Sequence, residues 1–83
     1  MWIHESGYRH GLTDEEILHG WDNAMGFYDI DVEHEPTKSL CIGPDLAGNL
    51  LEILYLQADD ADLVIHAMPL RPVFRAYLTQ DQP

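Results

Sequence analysis

The chain has a single cysteine, Cys41, and only four basic residues among its 83 positions. One cysteine excludes an internal disulfide and a cysteine zinc cluster, so packing must stabilise the fold, as is usual in a reducing compartment. Fifteen acidic residues give a formal net charge of −11. Because binding to a phosphate backbone depends on clustered cations, the isolated protein is predicted to bind nucleic acid poorly.

Long hydrophobic runs are also missing. The longest, residues 50–56, is interrupted by Glu52 and is much shorter than a membrane span. The N-terminus shows no basic region followed by an apolar core, so we expect a cytoplasmic protein with no membrane association. The length and the 46 % hydrophobic content predict one folded domain, residues 1–83.

The N-terminal half carries helix signals. Thr13 and Glu16 have the spacing of a capping box, in which each side chain satisfies a backbone N–H of the other residue. An apolar stripe follows as far as Met25, so a helix is predicted from this box. Upstream, residues 4–10 are predicted to form a brief first helix that ends at Gly11.

The C-terminal half is typical of strands. Alternating apolar and acidic residues over 28–33 predict an edge strand, and residues 38–42 predict a second strand. Residues 49–57 are almost continuously apolar and predict a central strand, whose hairpin partner is 63–68. A short helix is expected over 73–78. The predicted class is therefore α+β, with two N-terminal helices packed on a three- to four-stranded antiparallel sheet and a short C-terminal helix.

This hairpin predicts a sheet that is apolar on both faces. If Ala58 lies opposite Ala61, then Ile53 faces His66. Two short N-terminal helices cover one face, and an uncovered second face would be large enough to indicate an interaction surface. We therefore expect a homodimer or another protein partner. The alternative is that loops and the terminal segment cover both faces. The predicted partner-binding residues are Leu51, Ile53, Tyr55, Val64 and Met68.

Several segments together resemble the BrnT toxins of bacterial type II toxin–antitoxin pairs. They are residues 8–11, 13–17, 41–43, 48–53 and 64–67, followed by Arg71 and Arg75. The resemblance implies membership of the RelE/ParE group of small α+β domains. It also implies an endoribonuclease that acts on mRNA, usually at the ribosome, and an antitoxin partner, often a ribbon-helix-helix DNA-binding protein.

One departure bears on the chemistry that the resemblance implies. BrnT-like toxins tend to carry a string of Arg and Lys after the last strand, where this chain has Met68-Pro69-Leu70. Metal-free RNA cleavage requires a base, an acid and cations that stabilise the charged phosphorane. No metal or cofactor is predicted. The candidate catalytic residues are His66 and His10 as acid or base, and Arg9, Arg71 and Arg75 as phosphate contacts.

Structural alternatives exist for each candidate. His66 is equally consistent with a buried histidine that is hydrogen-bonded to a neighbour, and Arg71 and Arg75 with ion pairs on one helix face. Arg9-His10 is consistent with a helix cap, and Cys41 with a packed small hydrophobe. Three function classes follow. They are a toxin-like ribonuclease that meets mRNA or the ribosome only if it is active, a non-catalytic interaction module with a degenerate toxin fold, and a small-molecule or metal-dependent enzyme.

Overall fold

The computed structural model describes residues 1–80, which form two α-helices, one 3-10 helix and five strands. The short elements at the start are β1 (Trp2–Ile3) and the 3-10 helix (Glu5–Tyr8). The remaining elements, in chain order, are α1 (Asp14–Asp22), β2 (Gly26–Asp31), β3 (Lys38–Pro44), β4 (Leu50–Gln57), β5 (Asp62–Pro69) and α2 (Pro72–Gln80).

The five strands form one mixed sheet in the order β1-β5-β4-β3-β2. The α+β class, the edge position of β2, the central position of β4 and the terminal helix α2 are as predicted. The predicted strand number and the purely antiparallel character are wrong, because β1 pairs in parallel with β5. A strand of two residues is too short to show a periodicity of its own. The first of the two predicted N-terminal helices is a single 3-10 turn.

Helix α1 begins with the predicted capping box. The Thr13 hydroxyl accepts from the Glu16 backbone N–H, and the Glu16 carboxylate accepts from the Thr13 N–H. The helix packs closely on β3, where a Cβ added at Gly43 would overlap the carbonyl of Gly20. This approach of helix backbone to strand backbone leaves no room for a side chain, and it places α1 directly over the sheet.

The sheet face under α1, which we call the α1 face, holds the hydrophobic core. Alternate residues of β4 point to it, as the period of a strand requires. Trp21 of α1 packs edge-on against Tyr55 and against Phe27 of β2, with ring centroids 4.8 and 5.1 Å away. The buried members of this core are Ile17, Cys41, Leu51, Ile53, Tyr55, Val64 and Ala67.

The opposite side of the sheet, the α2 face, is covered in part by the C-terminal helix. Its register positions include Leu40, Glu52, Leu54, His66 and Met68. Helix α2 lies against this side through an aromatic contact between Tyr77 and Tyr28, whose ring centroids are 5.3 Å apart, and through Arg71, which binds Glu52. Helices of the same chain therefore lie on both sides of the sheet.

A β-bulge at Ile65 changes the register that the hairpin predicts. Tyr55 pairs with Val64 as expected, but Leu54 pairs with His66, because Ile65 has no partner of its own. The predicted pair of Ile53 and His66 is wrong, and Ile53 lies opposite Ala67. The extra residue moves His66 from the α1 face to the α2 face.

The bulge also separates the predicted partner-binding residues. Four of them are buried in the core beneath α1 and present no surface in this conformation, namely Leu51, Ile53, Tyr55 and Val64. Met68 lies on the α2 face and is half-buried. Helix α1 of the same chain covers this face of the sheet. The face is therefore not the exposed apolar surface from which the partner-binding residues were inferred. Within residues 1–80, neither helix has the length and apolarity needed to cross a membrane.

Candidate functional site

A fully buried carboxylate, Glu52, lies in the centre of β4 on the α2 face. Arg71, just before α2, directs three hydrogen-bond donors at this carboxylate. The Arg71 backbone N–H donates to Oε1 at 2.8 Å, Nη2 donates to Oε2 at 2.7 Å, and Nε lies 3.0 Å from both oxygens. Such a charge-assisted, bidentate pair fixes the geometry of both groups and attaches the start of α2 to the sheet.

His66 completes the hydrogen-bonding of this carboxylate. Its Nε2 lies 2.9 Å from Oε2 of Glu52. The two residues come from adjacent strands, and the bulge at Ile65 gives them the same side of the sheet. The His66 side chain is 21 % exposed, and its second ring nitrogen, Nδ1, makes no hydrogen bond within residues 1–80. One imidazole nitrogen is thus held by a buried carboxylate while the ring reaches the surface.

A second imidazole lies beside the first. The rings of His10 and His66 meet edge to face, with centroids 5.1 Å apart. His10 follows the 3-10 helix, which is attached to β5 directly before His66. The Ser6 hydroxyl donates to the carbonyl of the bulge residue Ile65 at 2.7 Å, and the His4 N–H donates to the Val64 carbonyl at 2.8 Å. We call Glu52, His66, Arg71 and His10 the Glu52 cluster.

The electrostatics of the Glu52 cluster favour an ionised carboxylate. Burial opposes its charge, but the hydrogen bonds from Arg71 and His66 outweigh burial and hold the pKa of Glu52 below its usual range. The same carboxylate raises the pKa of Arg71. The cluster therefore contains a neutralised ion pair next to two imidazoles.

The structure brings together three of the five candidate catalytic residues, His66, His10 and Arg71. Arg75 is exposed one helical turn beyond Arg71 on α2. Arg9, directly before His10 in the chain, lines a shallow surface pocket together with His4, Glu5, Ser6 and Tyr8. Its backbone N–H donates to the Ser6 carbonyl at the end of the 3-10 helix, which agrees with the capping alternative.

Glu52 was not among the residues predicted from the sequence, although it accepts hydrogen bonds from both Arg71 and His66. One signal was present, since Glu52 is the only charged residue in β4. A lone charge in the middle of a central strand is expensive to bury without a partner. That cost indicates a specific cationic contact, but the pairing with Arg71, 19 positions later in the chain, depends on the tertiary fold.

Within residues 1–80, Cys41 and the residue types that bind metals offer no competing site. Cys41 is completely buried, and burial raises the pKa of its thiol to about 12, as the packing alternative predicts. In the part of the chain that the structure describes, no three His, Cys, Asp or Glu side chains are arranged to hold a metal ion. The chemistry offered by the Glu52 cluster is proton transfer beside a guanidinium group.

Comparison of the chain with protein-family models, with curated proteins and with solved structures gives no match. The functional argument therefore depends on the sequence motifs and on the geometry of the Glu52 cluster.

Proposed function

We propose that the chain is a BrnT-like toxin component of a type II toxin–antitoxin pair, with a RelE/ParE-like fold, and that it cleaves RNA without a metal. The observation that supports this proposal is the meeting of three elements at the buried carboxylate of Glu52, which binds His66 and Arg71, while His10 from the N-terminal segment lies against the His66 ring. The two imidazoles and the guanidinium supply the groups that metal-free phosphodiester cleavage requires.

The reaction begins with removal of a proton from a ribose 2′-hydroxyl. The 2′-oxygen then attacks the adjacent phosphorus, and the bond to the 5′-oxygen breaks as that oxygen receives a proton. The products are a 2′,3′-cyclic phosphate and a 5′-hydroxyl. His66 and His10 are the acid and base, since an imidazole can exchange protons at neutral pH. Arg71 and Arg75 contact the phosphate and stabilise its additional negative charge.

The net charge of −11 limits how RNA reaches this cluster. Salt screens the long-range repulsion beyond about 8 Å at physiological ionic strength, so local contacts decide binding. Arg71 shares its charge with Glu52, so the further cations on this side are Arg75 on α2 and Lys38, which the register of β3 places on the α2 face. We expect weak RNA binding by the free chain and an antitoxin of opposite charge, of the ribbon-helix-helix type. We also propose a homodimer as a second assembly of the chain. Action on mRNA, in solution or at the ribosome, places the protein in the cytoplasm.

The test is a cleavage assay with a defined single-stranded RNA in the presence of EDTA. The purified chain is expected to yield 2′,3′-cyclic phosphate ends, and His66→Ala is expected to lower the rate by about 10²–10⁴-fold. His34→Ala is the matched control, because His34 is exposed and contacts Pro36 rather than the Glu52 cluster. Equal rates for the wild type and His66→Ala, in variants with unchanged circular dichroism, would contradict the proposal.

The second candidate is a non-catalytic module with a degenerate toxin fold that binds a protein partner. The observation that favours it is the use of three Arg71 donors by Glu52, which gives the guanidinium a structural task. Expression in bacteria distinguishes the two functions. Growth arrest that His66→Ala relieves supports the ribonuclease. Co-purification with the product of a neighbouring gene, without toxicity or RNA cleavage, supports the interaction module.

A further inference from the structure

We infer that Glu52 is a positioning residue that holds His66 by its Nε2–H and presents Nδ1 at the surface as the proton-accepting atom. This inference rests on the proposed function, because proton acceptance matters only if the Glu52 cluster performs chemistry. It deepens that function by naming the atom at which the 2′-hydroxyl proton is received.

The first step is the charge state of Glu52. Its two oxygens receive the backbone N–H, the Nε and the Nη2 of Arg71, and Nε2 of His66 at 2.9 Å. An ionised carboxylate has only acceptors, and it can accept all of these bonds. Arg71 offers only donors, so a protonated carboxyl could direct its proton only to Nε2 of His66. The hydrogen bonds from Arg71 favour the charged carboxylate and hold the pKa of Glu52 below its usual range, so this proton lies on the imidazole and Glu52 is ionised.

The second step is the position of the proton on His66. Because the ionised carboxylate only accepts, the nitrogen of His66 that faces it must carry hydrogen. In a neutral imidazole the other nitrogen is then an acceptor, and this nitrogen is Nδ1. The 21 % exposure of the His66 side chain allows contact with a substrate on the surface side. A fixed hydrogen bond at one ring nitrogen is how carboxylates orient general bases in other catalytic sites.

The third step is the part played by Arg71. An unpaired buried carboxylate would attract a proton to His66 and keep the imidazole charged, which would prevent it from accepting a proton. Arg71 supplies the counter-charge instead, at 2.7 Å, so the imidazole can remain neutral beside Glu52. Arg71 thereby has two tasks, one toward Glu52 and one toward the phosphate.

The chain contains internal controls for this assignment. Nδ1 of His34 lies 2.7 Å from the Pro36 carbonyl, and Nδ1 of His19 lies 2.9 Å from the Pro44 carbonyl. A carbonyl cannot donate, so both residues must carry hydrogen on Nδ1 when neutral. The structure therefore assigns one tautomer to His66 and the opposite tautomer to His19 and His34.

Nitrogen NMR of histidine-labelled protein tests the assignment directly. At about pH 9, well above the usual imidazole pKa of about 6.5, each neutral ring reports which nitrogen is protonated. We expect hydrogen on Nε2 for His66, with slow exchange of that proton, and hydrogen on Nδ1 for His19 and His34. Hydrogen on Nδ1 of His66 in the wild type would overturn the inference, whatever the chain does to RNA.

The isosteric variant Glu52→Gln tests whether positioning matters to the reaction. The glutamine side chain would turn an NH2 group toward a donor of Arg71 or His66, and this group cannot accept the hydrogen bond that the carboxylate accepts. We therefore expect the Nε2 proton of His66 to exchange fast. We also expect the rate of RNA cleavage to fall toward that of His66→Ala. Glu15→Gln, at an exposed position on α1, is the matched control and should change neither measurement. If Glu52→Gln misfolds, the wild-type NMR result still decides the hydrogen-bond assignment.

The outcomes separate the inference from the function on which it rests. A folded Glu52→Gln variant that cleaves RNA as fast as the wild type, while His66→Ala is inactive, would overturn the positioning role and leave the ribonuclease intact. The predicted tautomers in a wild-type chain that leaves RNA uncut would overturn the proposed function and confirm the hydrogen bond alone.

Discussion

The side chains on the two faces of strand β4 are buried by different kinds of interaction. Toward α1, Leu51, Ile53 and Tyr55 pack into an apolar core whose stabilisation comes from area removed from water. Toward α2, Glu52 is equally buried, yet its environment is made of hydrogen bonds from Arg71 and His66. Apolar packing tolerates small shifts, whereas a buried charge is stable only with its partners in place. The α1 face therefore stabilises the fold by apolar packing, whereas the hydrogen bonds on the α2 face fix the positions of Glu52, Arg71 and His66.

The sharpest way to test this comparison is to truncate one residue on each face. Ile53→Ala should lower the free energy of unfolding by about 2–5 kcal/mol, because Ile53 is fully buried and its loss leaves a cavity. Leu54→Ala, the adjacent residue on the α2 face, is half-buried and should cost less. Urea unfolding of both variants measures the difference. An equal loss would show that the α2 face is packed as tightly as the core.

The next largest effect is expected where α1 meets β3. Gly43→Ala places a methyl group against the Gly20 carbonyl, which belongs to rigid backbone, and should destabilise the fold by about 1–3 kcal/mol. Gly20→Ala is the control. Its Cβ would lie 3.2 Å from Cδ1 of Ile53, a side-chain end that can shift, and alanine favours the helix by about 1 kcal/mol. Thermal unfolding should therefore show a large decrease for the first variant and little change for the second.

The smallest expected effect is the acid sensitivity of the α2 face. The pKa of Glu52 is lowered in the fold, so its stabilisation is complete above the unfolded value and is lost as the pH falls through the folded value. Stability should decline on acidification below the usual range of glutamate, about pH 4.3. Glu52→Gln should show a shallower decline, measured by urea unfolding at several pH values. Glu15→Gln should retain the wild-type slope, and a parallel decline in both variants would remove Glu52 as the cause.

Local signals predicted most of the fold. The capping box placed the start of α1, the alternation over residues 28–33 identified the edge strand, and the apolar run at 49–57 identified the central strand. Each of these features is encoded by residues close together in the chain, so a short window of sequence contains the physical information. His66, His10 and Arg71 were also selected from residue type, and the structure brings these three together, while their catalytic role stays a prediction.

The features that sequence reasoning missed depend on residues far apart. Strand β1 has two residues and exists because it pairs with β5. The bulge at Ile65 contains no proline or glycine that would indicate it in the sequence. The predicted hairpin was therefore regular and placed His66 on the wrong face. That error separated His66 from Glu52, and the partner surface was predicted wrongly for another reason, because α1 covers the sheet face that carries Leu51, Ile53 and Val64.

Because Ile65 is an extra, unpaired residue, the geometry of the Glu52 cluster depends on the length of β5. Deleting Ile65 would restore an unbroken ladder in which the histidine still lies opposite Leu54. The deletion would, however, withdraw the carbonyl that receives the Ser6 hydroxyl and so release the segment that brings His10 to its neighbour. Loss of Ile65 alone would therefore leave His66 bound to Glu52 but would release His10 from its place beside His66, without altering any of the four residues of the cluster.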